Sequence, residues 1–271
     1  MSSSSSAESS FLLWALALGL ALLTAHVALG WVRQAQHEPG LRRNWRPLLL
    51  AAATIGTGVC SAMVLAVAAE ALPFRVGYRA AAVPVLWLGA MVGALPVAWL
   101  LSRTQRWPAL MLCGAVLACL ATAVQIGWLW AVGFRPGIVW RNEFIGSAAV
   151  LMTVGHGTAL WVAYSSISQQ SDRRQLWRLG AAVLIALSLI AGQEIMMAGA
   201  GLLGQVGSVY AKQVPGTVLS LVAGVLVPMV AGAMAIELGM RRSRRRRPSN
   251  DPSNGFASQR THKRRQRSRG L

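Results

Sequence analysis

Residues 191–201 read AGQEIMMAGAG and follow the apolar run LGAAVLIALSLI at 179–190. Four side chains in this stretch can do chemistry: the amide of Gln193, the carboxylate of Glu194, and the thioethers of Met196 and Met197. A carboxylate at the centre of a membrane-crossing helix costs about 2.5–3.5 kcal/mol on insertion scales, and less near an interface. Two uses justify that cost. Glu194 can line a central pocket as a ligand or proton-handling group, or it can be hydrogen-bonded within a helix bundle. His156, in TVGHGTALW, either faces Glu194 or a cofactor, or packs on a neighbouring helix. Met63, in GTGVCSAMVLAVAAEALP, adds a thioether in a third apolar run, where thioethers ordinarily fill gaps or face lipid.

The elements that must position these groups are membrane spans. Of 271 residues, 55% are hydrophobic and 13% charged, with a mean hydropathy of +0.49, too apolar for an ordinary soluble domain. A crossing helix needs about 20 mostly apolar residues. Spans are predicted near 11–32, 47–70, 80–102, 108–132, 144–168, 177–200 and 215–239. This gives an all-α, seven-transmembrane bundle over residues 11–240, with a disordered N-terminus (1–10) and a disordered basic tail (241–271). The first apolar run is too long for a signal-peptide core, has no basic flank, and is read as a span that stays.

Charge sets the expected direction. The tail holds 12 Arg and Lys against Asp251, so most of the net +18 lies there. With the loops at 33–46, between spans 3 and 4, and between spans 5 and 6, one side carries 21 basic residues. The other side carries five: Arg75, Arg79, Arg135, Arg141 and Lys212. Positive-inside asymmetry therefore predicts the N-terminus outside and the C-terminus in the cytoplasm of a bacterial inner-membrane protein. Trp31, Trp45, Trp107, Trp140 and Trp177 fall near span ends, where indole rings favour the interface. The tail is expected to associate with anionic lipid; it lacks the aromatic interleaving of an RNA-binding segment.

Spans 2, 4 and 6 run in the same direction, and each places its least ordinary residues toward its outer end: Met63 and Glu70, Gln125, and GQEIMM. The chain thus reads as three helical hairpins plus a seventh helix. Glu70 and Glu143, at outer span ends, are expected to be solvated, and Glu237 to pair locally beside the basic tail. Cys60, Cys113 and Cys119 have neither metal nor disulfide spacing and read as buried thiols. No catalytic motif is present, so the reading is non-enzymatic.

The stretch GTGVCSAMVLAVAAEALPFRVGY at 56–78 resembles the first signature of the MHYT family, bacterial seven-span sensory modules named for a Met-His-Tyr-Thr motif. Gly56, Gly58, Ser61, Pro73, Gly77 and Tyr78 fall in matching places. GIVWRNEFIGSAAVL resembles the start of the family's fifth span, with Ser147 in register. The resemblance implies a pocket at the outer ends of spans 2, 4 and 6, where the family's His and Met residues are thought to hold copper. Here the Met-His positions fall on Ala62 and Met63, on Ala123 and Val124, and on Gln193 and Glu194, and the Asp after Gly-Tyr is Arg79. All three histidines are missing, so copper is implied only through the remaining thioethers. The candidate pocket is Met63, Gln193, Glu194, Met196, Met197 and His156.

The expectation is a divergent MHYT-like sensory or signalling membrane protein that signals through a protein partner, with no output domain of its own. A membrane transporter using Glu194 and His156 as a polar pathway, and a non-catalytic scaffold or assembly protein, are the alternatives.

Overall fold

A computed structural model describes residues 2–37, 41–70, 74–135, 137–165, 171–202 and 207–246. Its main elements are long helices: α1 Ser2–His37, α2 Leu41–Ala69, α3 Ala82–Arg103, α4 Trp107–Val132, α5 Asn142–Ser165 and α6 Ser171–Ala198. A last helical stretch follows, built from α7 Gly216–Leu221, a π turn Val222–Leu226 and α8 Val227–Arg246. Seven segments are long and apolar enough to cross a membrane: Phe11–Gln36, Trp45–Ala69, Ala82–Arg103, Trp107–Val132, Asn142–Ser165, Gln175–Ala198 and Gly216–Arg241. The chain is an all-α, seven-span, multi-pass membrane protein.

Two units are distinguished, Met1–Met234 and Ala235–Leu271. The first holds the bundle. Hairpins α1–α2, α3–α4 and α5–α6 close into a ring, because α2 also packs on α3, α4 on α5, and α1 on α6. Helix α7 and the π turn lie against α2. In the second unit the described residues continue α8 to Arg246, with Arg241 donating to Glu237 one turn earlier, as the local pairing predicted for Glu237 requires. The rest of the basic tail lies outside the described residues.

Small residues make the ring possible, since apolar lipid supplies no hydrophobic drive between helices and packing must come from close approach. A Cβ on Gly56 would sit 2.5 Å from the Met91 backbone nitrogen, and one on Gly114 would sit 2.6 Å from that of Gly157. Bulky apolar residues point outward instead; Val85, Val150 and Met229 are exposed, as lipid-facing residues are. Trp45, Trp107 and Trp177 are also exposed near span ends, whereas Trp31 is fully buried and belongs to the core rather than to an interfacial belt.

The loops at one end of the bundle contain three short antiparallel ladders that the apolar pattern does not announce: β1 Gly77–Tyr78 with β6 Val214–Pro215, β2 Phe134–Arg135 with β5 Gly207–Ser208, and β3 Ile138–Trp140 with β4 Ala200–Leu202. The segment between α6 and α7 therefore pairs with both the α2–α3 and the α4–α5 loops. Its Ser208 hydroxyl lies 2.8 Å from the Val132 carbonyl and 3.1 Å from that of Gly77. Helix α4 is stopped there by Gly133, whose φ of 63° suits the left-handed C-cap.

Candidate functional site

The C-terminal ends of α2, α4 and α6 arrive together beneath these ladders. The tight loop turns explain two of the motif positions. A Cβ on Gly77 would collide with the backbone of Tyr210 and Ala211, so only glycine lets the α2–α3 loop reach β6. Tyr78 is buried and stands edge-on to Trp128, ring centroids 5.4 Å apart. Trp128 in turn meets Trp87 edge-on at 5.9 Å, tying the loop to α3 and α4. Ser61 is buried in α2, and Pro73 lies outside the described residues.

The six residues singled out from the sequence fall into three places. Met63 and Met196 are fully buried and share the central hydrophobic cluster with Val124 and Trp128. Gln193 is also fully buried. Its main-chain carbonyl accepts from Gln125 Nε2 at 3.4 Å, joining α4 to α6. Among the described residues, neither the side-chain oxygen nor the side-chain nitrogen of Gln193 has a hydrogen-bond partner, and neither does Gln125 Oε1. Three unpaired amide atoms in a sealed core are costly, at about 1–3 kcal/mol for each unsatisfied group.

Glu194 and Met197 face elsewhere. They line a cavity of about 290 Å³ under the ladders, walled by Leu129 of α4, Phe134 and Ile138 of the α4–α5 loop, and Glu70. Glu70, just past the end of α2, is half-buried rather than solvated. Burial first, and the Glu194 carboxylate second, push its carboxyl above the ordinary carboxylate value. The structure thus sets two carboxylates, from α2 and α6, against one cavity, with no ion pair to either among the described residues.

His156 stands apart from both groups. It is buried and lines a small apolar cavity of about 60 Å³ with Thr24, Gly58 and Leu189. That cavity shares no wall residue with the one lined by Glu194, so the two ionisable groups line separate cavities.

The donor set does not fit the copper implied by the resemblance. The two buried thioethers have no imidazole beside them, Glu194 faces a different cavity, and among the described residues no three His, Cys, Asp or Glu side chains cluster with metal-binding geometry. What the site offers is two separate surroundings: an open cavity lined by the carboxylates of Glu70 and Glu194, and a closed core that holds the thioethers of Met63 and Met196 and the amides of Gln125 and Gln193.

Reasoning from the sequence missed Glu70 and Gln125 as members of this site. The available signal was their position: each lies toward the C-terminal end of an even-numbered span, as Glu194 does, and the repeat placed all three at similar depth.

The chain is 26% identical, over 190 residues, to the bifunctional diguanylate cyclase/cyclic di-GMP phosphodiesterase MucR of Pseudomonas aeruginosa. That match covers 69% of this chain but only 27% of the length of MucR. No protein family and no solved structure matches the chain. The chain is a seven-span membrane protein with a distant likeness to part of a signalling enzyme.

Proposed function

We propose that this protein is a divergent MHYT-like sensory membrane domain, with its N-terminus outside and its C-terminus in the cytoplasm of a bacterial inner membrane. The observation that carries the reading is the convergence of α2, α4 and α6 on one end. Glu70 and Glu194 share a cavity there, and the same helices bury the amides of Gln125 and Gln193, whose side-chain oxygens have no hydrogen-bond partner among the described residues. The likeness to MucR supports a role in signalling, and 21 basic residues against five support the orientation. Polar groups left unpaired in a sealed core oppose rigid packing and favour a second arrangement, which is what a sensor needs. The signal leaves through a protein partner or an attached output domain. The transporter reading is weaker, because Glu194 and His156 line separate cavities.

The test is a chimaera in which this chain replaces the matching stretch of MucR, with cyclic di-GMP measured in cells. The expected result is an output that differs from that of the output portion alone and shifts in both Gln193→Leu and Glu194→Gln. An output identical in the parent chimaera and both variants would sink the proposal.

A further inference from the structure

A cavity larger than the one beneath the ladders lies beside it. A lateral groove of about 890 Å³ runs between α1, α2 and α7 and shares Glu70 with the Glu194 cavity as a wall residue. Its walls are apolar for most of their length, including Leu13, Leu65, Val67 and Val225. Its rim carries Leu16, Leu221 and Val225, which are 49%, 65% and 52% exposed, so it opens onto the lipid-facing surface. The π turn Val222–Leu226 forms part of one wall. Pro228 lacks the N–H that would bond the Gly224 carbonyl, and the Val227 N–H reaches Val222 instead. Gly224 faces the groove, and a Cβ there would meet only Leu65, at 3.7 Å.

The polar groups of this groove gather at one end. Glu70 and Arg75 are there, with Thr217 and Ser220 nearby. They lie where span 2 ends at Ala69 and span 7 begins at Gly216, the level of lipid headgroups. Arg75 is exposed, and neither it nor Glu70 forms an ion pair among the described residues. One slot therefore presents a cation and an anion, neither in an ion pair among the described residues, and a long apolar channel. A lipid with only a negative headgroup satisfies Arg75 and is repelled by Glu70. A zwitterion bearing a phosphate and a primary amine satisfies both, because the guanidinium matches a phosphate and the carboxylate accepts from an ammonium.

We propose that this groove binds a zwitterionic aminophospholipid of the surrounding bilayer, with one acyl chain in the channel, the phosphate on Arg75 and the ammonium on Glu70. The Glu194 carboxylate across Glu70 adds negative potential at the amine end. The bound headgroup would touch Glu70, which also lines the candidate sensory cavity.

The experiment is native mass spectrometry of the detergent-purified full chain, titrated separately with palmitoyl-oleoyl phosphatidylethanolamine, phosphatidylglycerol and phosphatidylcholine. The expected result is one retained phosphatidylethanolamine per chain, with roughly tenfold preference over the other two, the scale of one charge-assisted contact. Arg75→Gln should weaken all three lipids by a similar factor. Glu70→Gln should bring phosphatidylethanolamine down to the level of phosphatidylglycerol. Gly224→Phe, which fills the channel, should reduce all three. Equal retention of the three lipids by the parent chain, or undiminished phosphatidylethanolamine binding by Arg75→Gln, would overturn the proposal. Both polar variants alter partly exposed side chains, so the test does not depend on whether Gly224→Phe folds.

Discussion

Replacing Gln193 by leucine should stabilise the protein, against the usual direction of core substitutions. Gln193 is fully buried, and both of its amide atoms are unpaired. An amide buried without compensating bonds costs about 1–3 kcal/mol in protein mutational data. Leucine removes that cost at similar volume, and the shape change from a straight to a branched chain returns less than about 1.5 kcal/mol. The one hydrogen bond at this position, from Gln125 Nε2, goes to the main-chain carbonyl and survives the substitution. The expected net gain is about 1 kcal/mol, or roughly 2–4 °C in unfolding temperature for a chain of this size. The assay is thermal unfolding in a fixed detergent, followed by tryptophan fluorescence, with Met196→Leu as the apolar control from the same buried cluster. The control should stay near the parent. A fall of several degrees in Gln193→Leu would refute the reasoning, because it would mean that the amide is bonded to something that binds the core. A gain in stability together with an altered chimaera output would show a group retained for signalling at a cost in stability.

Other expectations follow from the same geometry. Gly114→Leu drives a Cβ into the Gly157 and Thr153 backbone and should cost at least about 1–3 kcal/mol. Gly19→Ala, with open space at the new methyl, should be neutral or stabilising; equal unfolding temperatures for the two variants would contradict the close-approach account of the ring. Because the Glu70 pKa is raised in the folded state, the fold holds its proton more tightly than the unfolded chain does. Stability should therefore fall as pH rises through and above the ordinary carboxylate range, and Glu70→Gln should flatten that slope; an unchanged slope in the variant refutes the assignment. Protein incubated with Cu(I) should carry no stoichiometric metal after desalting, and about one tightly held copper per chain, lost in Met63→Leu, would reverse that conclusion.

The fold was legible because lipid imposes a simple rule: every buried backbone group must be satisfied within its own helix, so apolar length alone identifies the spans. The predicted spans agree with the membrane-crossing segments to within a few residues, as span 4 shows, 108–132 against Trp107–Val132, whereas helix α1 begins at Ser2, inside the stretch expected to be disordered, and α8 runs on to Arg246. The ladders were not legible. They form in strands of two or three residues, too short for any period-two pattern, and they depend on which loops the helices bring together. The site was half legible for a related reason. A helical repeat gives depth along the membrane normal but not azimuth, the direction in which a side chain leaves its helix. Depth placed Glu194, Gln193 and Met63 together. Azimuth separates them, turning Gln193 and Met63 into the core and Glu194 toward Glu70. Neighbours on one helix, Gln193 and Glu194 differ by about 100°, enough to put an amide and a carboxylate in different chemical surroundings. The residue that shares a cavity with Glu194 is therefore Glu70, distant in sequence but on the same cavity wall, because both lie near the C-terminal ends of helices whose following loops the ladders tie together.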